Sequence, residues 1–504
     1  MRRPWTLWPL AALTALALAP LAGLLLRVWT QGGRISGADG LLVLDQMQYL
    51  NWLRQAGEHG LISNLYDLAD GPRTFLHPGL LLSGGLNALG LGAAASYLVW
   101  KPVAVLALWA GAVAWARRLV PDDRRRLAVV VVALLFASPI AALVGWTGWG
   151  GEPRKFSFDF LSGELSPGNY LWGYLFTAVA VGLLPLALLA YDRGRLGWAA
   201  AAGLVVAWLQ PWQGATLLLV LGGTEAVRWA AARRRPALGP PVAVGLAVSA
   251  PLVYYLILSR TDPAWELAGI ANDFGSWPWW VTLLGLGPLV LPALTAPRPD
   301  TSDFAAVALR VWPVAALAVY VLPFGTFPAH ALQGLGLPLA TLAFLGVAAR
   351  LRGAGLVAVL ALLVVPGTLY RADQLRGAVQ AGRQPFFLRD GEWAALRWLD
   401  ASRSRTPGGV LAPIYSGLLV PAYTQRETWV GAGSWTPDFD ARTQAAERLF
   451  SARMGRAEAE ALVRASGARH LLADCQGRAD LGPLVARVTL PARRFGCATV
   501  WEVR

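Results

Sequence analysis

Lysine is nearly absent from this chain of 504 residues. It occurs only at Lys101 and Lys155, so 42 of the 44 basic side chains are arginine. With so much Ala, Gly and Pro, that bias points to GC-rich coding, and the number of arginines says little about function. Charge is scarce as well. Asp, Glu, Lys and Arg make up 15% of the residues against 56% hydrophobic ones, which excludes a soluble globular protein of this size. A net charge of +14 would suggest a nucleic-acid partner in a soluble protein. Here no nucleic acid is expected, because the arginines gather in short clusters between apolar runs. Cysteine is confined to Cys475 and Cys497. Residues 371–504 hold no nucleotide fingerprint, P-loop, metal-ligand cluster or hydrolase elbow, and the residues give no support for a divalent metal.

What is present is a series of apolar runs of about 20 residues, the length that crosses a bilayer. The first, Leu7 to Val28, is longer than a secretory signal core, lacks a clear cleavage site and reads as a retained span. Basic short loops stay in the cytoplasm. Placing Arg2-Arg3, 117–126, 192–195, 232–236, Arg298 and 349–353 there gives spans at roughly 7–29, 95–118, 127–146, 170–190, 196–210, 211–229, 241–259, 277–296, 304–324, 328–348 and 354–370. The expectation is a polytopic, mostly α protein of the cell membrane with eleven crossings, its N-terminus cytoplasmic and its C-terminal domain outside. "FLHPGLLLSGGLNALGLG" (75–92) is apolar enough for a twelfth span. It would invert every later basic cluster, so it reads instead as a re-entrant or surface-lying helix pair, broken at Pro78, Gly84 and Gly85.

Polar chemistry then falls on the outer loops 30–74, 147–169, 209–214, 260–276 and 324–334. In "GLLVLDQMQYLNWLR" (40–54), a helix puts Val43, Met47 and Leu50 on one face and Asp45, Gln48, Trp52 and Gln55 on the other. Such a helix lies along a membrane surface. Loop 147–169 concentrates Glu152, Arg154 and Lys155 with Asp159, Glu164 and aromatics. An anionic headgroup would need cationic or hydrogen-bonding groups, for which Arg154, Lys155, His77 and His330 are candidates, with Gln210, Gln213 and Gln333 for sugar hydroxyls. Lys101, about two turns inside a span, needs a partner or must snorkel to the surface. Each feature also has a plainer reading, as a solvated loop or a helix-hairpin turn with Trp212 at the interface.

Residues 371–504 shift to shorter apolar runs and more charge. Amphipathic helices at 389–402, 440–454 and 455–467 alternate with short strands at "GGVLAP", "ETWVG", "ARHLLAD" and "ATVWEV", which predicts a small soluble α/β domain. Residues 1–370 form the transmembrane part. An outer location permits a Cys475–Cys497 disulfide, the alternative being two unpaired cysteines packed on strands.

The order of these features, a first span, an outer loop whose surface helix carries an acid, a basic turn after the next span, many further spans and a small outer domain, resembles the GT-C fold of glycosyltransferases that use polyprenyl-phosphate sugars. Protein O-mannosyltransferases and bacterial aminoarabinose transferases have this layout. The stretch "VPAYTQRETWVGAGSWTPDF" also resembles a segment of bacterial membrane proteins of this type that reads "PAYTGR…VGH…TPD", with Gln425 where the glycine stands and Ala432 where the histidine stands. The resemblance implies transfer of a sugar from a polyprenyl-phosphate donor to a hydroxyl of a glycan, lipid or protein acceptor, with an acid of the first outer loop as general base. Asp45 matches that place, with Asp39 next. The rival classes are a transporter or lipid flippase and a non-catalytic envelope-assembly protein. Few ionisable residues within the spans and no obvious inverted repeat count against the transporter.

Overall fold

The computed structural model describes residues 5–40, 42–69, 71–233, 237–273, 277–322, 327–347, 353–380, 385–477 and 479–504. The clusters at Arg2-Arg3, 234–236 and 349–352 lie outside the described residues, as do 324–326 of an expected outer loop. The chain divides into two compact units, one of Met1–Pro20, Trp100–Ile257 and Asp273–Arg376, the other of Leu21–Val99, Leu258–Asn272 and Gly377–Arg504.

The first unit is helical. Its Trp100–Leu119 helix packs on Leu175–Asp192, Pro211–Ala232 on Phe304–Val321, and Trp279–Ala293 on Gly336–Val347. Small residues set the closest crossing: a Cβ added to Gly111 would lie 2.3 Å from the Gly182 carbonyl oxygen, so only glycine allows this approach. Where three helices end, Arg118 ties them by donating to Asp192 Oδ2 at 2.9 Å and Asp303 Oδ1 at 2.7 Å. The Leu209–Pro211 break follows from sequence. Proline has no N–H and suits the first position of a new helix, and Gln210 between the two helices is extended.

Among the described residues, six helices are long and apolar enough to cross a membrane, or seven if the pair Asp123–Leu135 and Pro139–Thr147, bent by 41°, counts as one span. This is a multi-pass membrane protein. By that measure the count falls short of eleven. The helices Leu196–Leu209, Trp279–Ala293 and Gly336–Val347 have 14, 15 and 12 residues, about 18–23 Å at 1.5 Å per residue against a hydrocarbon core of about 30 Å. Segment 75–92 forms the nine-residue helix Pro78–Leu86 and a wide turn to Leu91, where Gly90 has φ +96°; at about 14 Å that helix cannot span by itself.

In the second unit, β1 (Arg34–Ile35) pairs antiparallel with β2 (Phe387–Leu388). A four-stranded sheet has the order β3 (Val410–Leu411), β4 (His470–Ala473), β6 (Ala498–Glu502), β5 (Arg493–Phe495), with β3 and β4 parallel and the rest antiparallel. Its core gathers Leu411, Val430, Leu449, Val463, Leu471 and Trp501. Helices Asp390–Ala401, Phe439–Phe450 and Arg456–Ser466 stand where their amphipathic pattern put them. "ETWVG" makes only an isolated bridge, Thr428 to Val410, because Thr428 N donates to Leu65 O instead of a continuous neighbour strand. The helix Ile414–Thr424 carries no clear polar face and was not anticipated. Buried Arg426 fastens the unit, donating to the carbonyls of Leu399, Thr406 and Gly408 at 2.8–2.9 Å. The first loop joins the same unit: Arg442 meets Asp67 at 2.8 Å and Asn64 donates to Trp435 O at 2.8 Å.

Candidate active site

The Val43–His59 helix holds Asp45 in its first turn. The sequence reading leaves its polar face on the membrane surface. The structure covers most of that face: Gln48, Trp52 and Gln55 are buried and Asp45 is half-buried. The cause is packing from two sides, by the Pro78–Leu86 and Ile414–Thr424 helices. A Cβ on Gly57 would sit 2.5 Å from Gly84 O, so backbones touch there. The buried amides are used: Gln55 Oε1 accepts from Ser63 N at 3.0 Å and its Nε2 donates to Ser63 O at 3.0 Å. Burial raises the phenols of Tyr49 and Tyr66 above their ordinary range, and the Asp45 charge adds to the rise. Both therefore stay protonated beside the carboxylate. Gln48 Nε2, one turn from Asp45, has no hydrogen-bond acceptor among the described residues.

Asp39 differs. It is buried and locked to Gln46, whose Nε2 donates to Asp39 Oδ1 at 2.9 Å while its Oε1 accepts from Asp39 N at 3.0 Å and Gly40 N at 3.2 Å. That reciprocal clip fixes the entry to the helix. His77 caps the next helix, its Nδ1 accepting from Leu80 N at 3.2 Å, which leaves the ring proton on Nε2. Around it Trp52, Phe75, Trp265 and Trp435 form an aromatic cluster with centroids 4.7–6.5 Å apart.

A second polar cluster lies within the helical unit. Glu164, at the end of the Gly151–Leu165 helix, accepts on Oε2 from Gln333 Nε2 at 2.6 Å and meets His330 Nδ1 at 3.0 Å. Gln210 Nε2 donates to Gln333 Oε1 and Thr177 Oγ1, both at 3.1 Å. Gln213 Nε2 donates to the carbonyls of His330 and Gln333, and Tyr170 OH to that of Glu164. The structure thus brings together four binding candidates from the sequence, Gln210, Gln213, His330 and Gln333, around Glu164, which the sequence marks only as one charge of the 147–169 loop. Glu164 stands at the apolar end of its segment, and a lone acid there was the available signal. Gln213 Oε1 and Trp212 Nε1 are buried and unpartnered among the described residues, an acceptor and a donor on adjacent residues. A hydroxyl satisfies such a pair.

Glu152, Arg154 and Lys155 do not join this cluster. They occupy the other end of the same helix, about 14–18 Å from Glu164 at 1.5 Å per residue. Lys155 pairs with Glu152 at 3.5 Å. Arg154 lies over Trp149 at 4.4 Å and Trp280 at 5.3 Å. Lys101 is buried, and its Nζ donates to Ala17 O at 3.0 Å and Leu171 O at 2.5 Å. Pro20 lacks the N–H that would serve Leu16 O, and Trp172 Nε1 donates there at 2.6 Å. Lys101 and Trp172 thus bond backbone carbonyls in the turn before Pro20. Cys475 and Cys497 are joined in a disulfide. No three His, Cys, Asp or Glu side chains among the described residues are grouped to hold a metal ion.

No family model and no curated protein matches this chain. Solved structures do. The Archaeoglobus fulgidus oligosaccharyltransferase, solved with Zn and sulfate, aligns over 96% of this chain and 71% of its own with a TM-score of 0.53 at 12% identity. The archaeal oligosaccharyltransferase AglB from Archaeoglobus fulgidus, in complex with an inhibitory peptide and a dolichol-phosphate, aligns over 97% and 73% with a TM-score of 0.52 at 11% identity. ArnT from Cupriavidus metallidurans bound to undecaprenyl phosphate aligns over 99% and 98% with a TM-score of 0.51 at 14% identity. The chain has the GT-C fold of these proteins.

Proposed function

We propose that this protein is a membrane glycosyltransferase that moves a sugar from a polyprenyl-phosphate donor to an acceptor hydroxyl. The observation that carries the reading is the shared fold with ArnT, which is bound to undecaprenyl phosphate and matches end to end, together with a half-buried acid in the first loop. In the proposed reaction Asp45 takes the acceptor proton as the acceptor oxygen attacks the anomeric carbon. The bond from that carbon to the phosphate oxygen breaks, and the lipid phosphate leaves with the electron pair. Hydrogen-bond donors meet that charge; His77, in the same unit as Asp45, is the proposed one. Gln213 Oε1 and Trp212 Nε1 are proposed to take a donor-sugar hydroxyl, with Gln210, Gln333 and Glu164 holding them in place.

Purified protein given a labelled polyprenyl-phosphate hexose tests the reading. Release of polyprenyl phosphate coupled to a glycosylated product is the expected result. Movement of the lipid across vesicles without product would replace it with the flippase. The orientation is proposed with the C-terminal region outside. A cysteine at Ser404 then reacts with an impermeant maleimide in spheroplasts while one at Asp123 does not; labelling at Asp123 would invert the topology.

A further inference from the structure

We infer that the exposed face of the Asp390–Ala401 helix binds anionic phospholipid headgroups of the bilayer crossed by the Leu7–Gln31 helix. The argument begins with the helix itself. Glu392, Ala395, Leu396 and Leu399 are its buried side. At about 100° per residue, Trp393, Arg397, Asp390, Ala401, Ala394 and Trp398 fill the opposite arc. Arg397 and Ala401 are exposed, and the two tryptophans are half-buried at the borders. Beyond each border stands another arginine. Arg34 Cζ lies 5.5 Å from the Trp393 ring centre, and Arg493 Cζ lies 4.9 Å from that of Trp398. The face therefore alternates Arg34, Trp393, Arg397, Trp398, Arg493 over a floor of two alanines. Arg494 is exposed next to Arg493. The facing acid is Asp390, 3.5 Å from Arg34, which leaves the face cationic.

The depth of this face decides what it meets. Trp8 and Trp29 are 80% and 82% exposed on the first helix. Their spacing along the helix is about 32 Å, close to the hydrocarbon thickness of about 30 Å, as for two aromatic belts. Trp29 thus marks one interface, and Arg34 follows five residues later. Arg34 pairs with Leu388 in the β1–β2 ribbon, and the helix begins at Asp390. Arg27 fastens the ribbon at that level: its Nη1 donates to Val379 O at 2.6 Å and its Cζ lies 5.0 Å from the Phe387 ring centre. The helix runs two residues past Trp29 to Gln31, and three extended residues follow, a reach of at most about 14 Å, which keeps Arg34 within about the headgroup layer and one screening length of it. Arginine and tryptophan both suit that layer, one for its charge and one for its amphipathic ring.

The test uses the full chain in lipid nanodiscs. The native cysteines are bonded to each other, so Ala401→Cys takes a single environment-sensitive fluorophore. The discs contain a fixed fraction of headgroup spin-labelled phosphatidylcholine, in phosphatidylcholine alone or with one-third phosphatidylglycerol. Quenching should rise at least about twofold with phosphatidylglycerol and return to the starting level at about 1 M salt, where the screening length is about 3 Å. The triple variant Arg34→Gln, Arg397→Gln, Arg493→Gln should lose the rise, and the corresponding lysine triple should keep it. Equal quenching in both membranes overturns the inference. So does a response to soluble dextran sulfate with none to phosphatidylglycerol, which would assign the face to a soluble polyanion.

Discussion

In the helical unit, Glu164 is consumed by its neighbours: one oxygen meets Gln333 and His330, and the two other glutamines close the ring. In the mixed unit, Asp45 is half-buried beside protonated phenols and an amide nitrogen that lacks an acceptor. Asp39, in that same unit, resembles Glu164 in being tied by short bonds. A carboxylate whose hydrogen bonds are spent positions its surroundings. One that keeps exposure can exchange a proton with an incoming hydroxyl. That contrast separates the acid proposed for chemistry from the acids that hold structure.

The largest test of the contrast is Asp45→Asn. The amide keeps the size and the helix but not the base, so single-turnover transfer from a saturating donor should fall about 10²–10⁴-fold, with donor binding and melting temperature unchanged. Asp39→Asn should instead lower the melting temperature and spare transfer in the folded fraction. Reversed results would move the base to Asp39, and two fully active variants would end the proposal for this loop.

A second test separates the units by acid. His470 is buried, and its pKa is lowered to about 4, first by burial and then by the Arg426 and Arg469 charges. The folded value is below the unfolded one of about 6.5, so the stabilisation is complete above pH 6.5 and is lost as pH falls toward 4. The loss amounts to about 3 kcal/mol. Denaturant unfolding of the mixed unit should show that slope between pH 7 and 4, and His470→Asn should remove it. An unchanged slope in the variant would assign it to other groups.

Glu164→Gln should cost about 1.5–3 kcal/mol, the range for hydrogen bonds to a charged group, because the new amide nitrogen faces the donors of Gln333 and His330. Thermal unfolding in detergent measures it. A variant as stable as the parent would mean the ring is not closed through Glu164. The smallest effect belongs to Gln425, which sits at φ +54°, a left-handed position that disfavours side chains. Gln425→Gly should raise stability by up to about 1 kcal/mol, since relief of that cost is partly offset by glycine's extra chain entropy and by the lost bond from Nε2 to Pro421 O. A loss of stability would show that this bond and the contact with Asn51 outweigh the backbone cost.

Gln425 also shows how far the sequence can be read. The "PAYTGR" segment it resembles has glycine there, and the reason is visible in the backbone: the position ends the Ile414–Thr424 helix in a left-handed turn. Lys101 is the opposite case. Its burial in a span was legible, but its partners are carbonyls in the turn before Pro20, more than eighty residues upstream, and in a helix seventy residues downstream, which no local pattern encodes. The loop residues Glu152, Arg154 and Lys155 are dense in charge, but Lys155 pairs with Glu152 one turn away and Arg154 lies between the nearby Trp149 and Trp280 of a distant helix.

Composition and the spacing of apolar runs determined, without any coordinates, that the chain lives in a membrane, because a run of some 20 apolar residues is stable only across a bilayer or deep in a core. The amphipathic periods of residues 390–401, 439–450 and 456–466 determined their helices for the same local reason. Tertiary structure decided which polar groups meet. Gln210 and Gln333 lie 123 residues apart and touch, and the polar face of the Val43–His59 helix is covered by a helix that begins at Ile414. Those contacts depend on how helices stack over long loops, a choice made by the sum of many packing and hydrogen-bond terms, none of which is written in any single stretch of sequence.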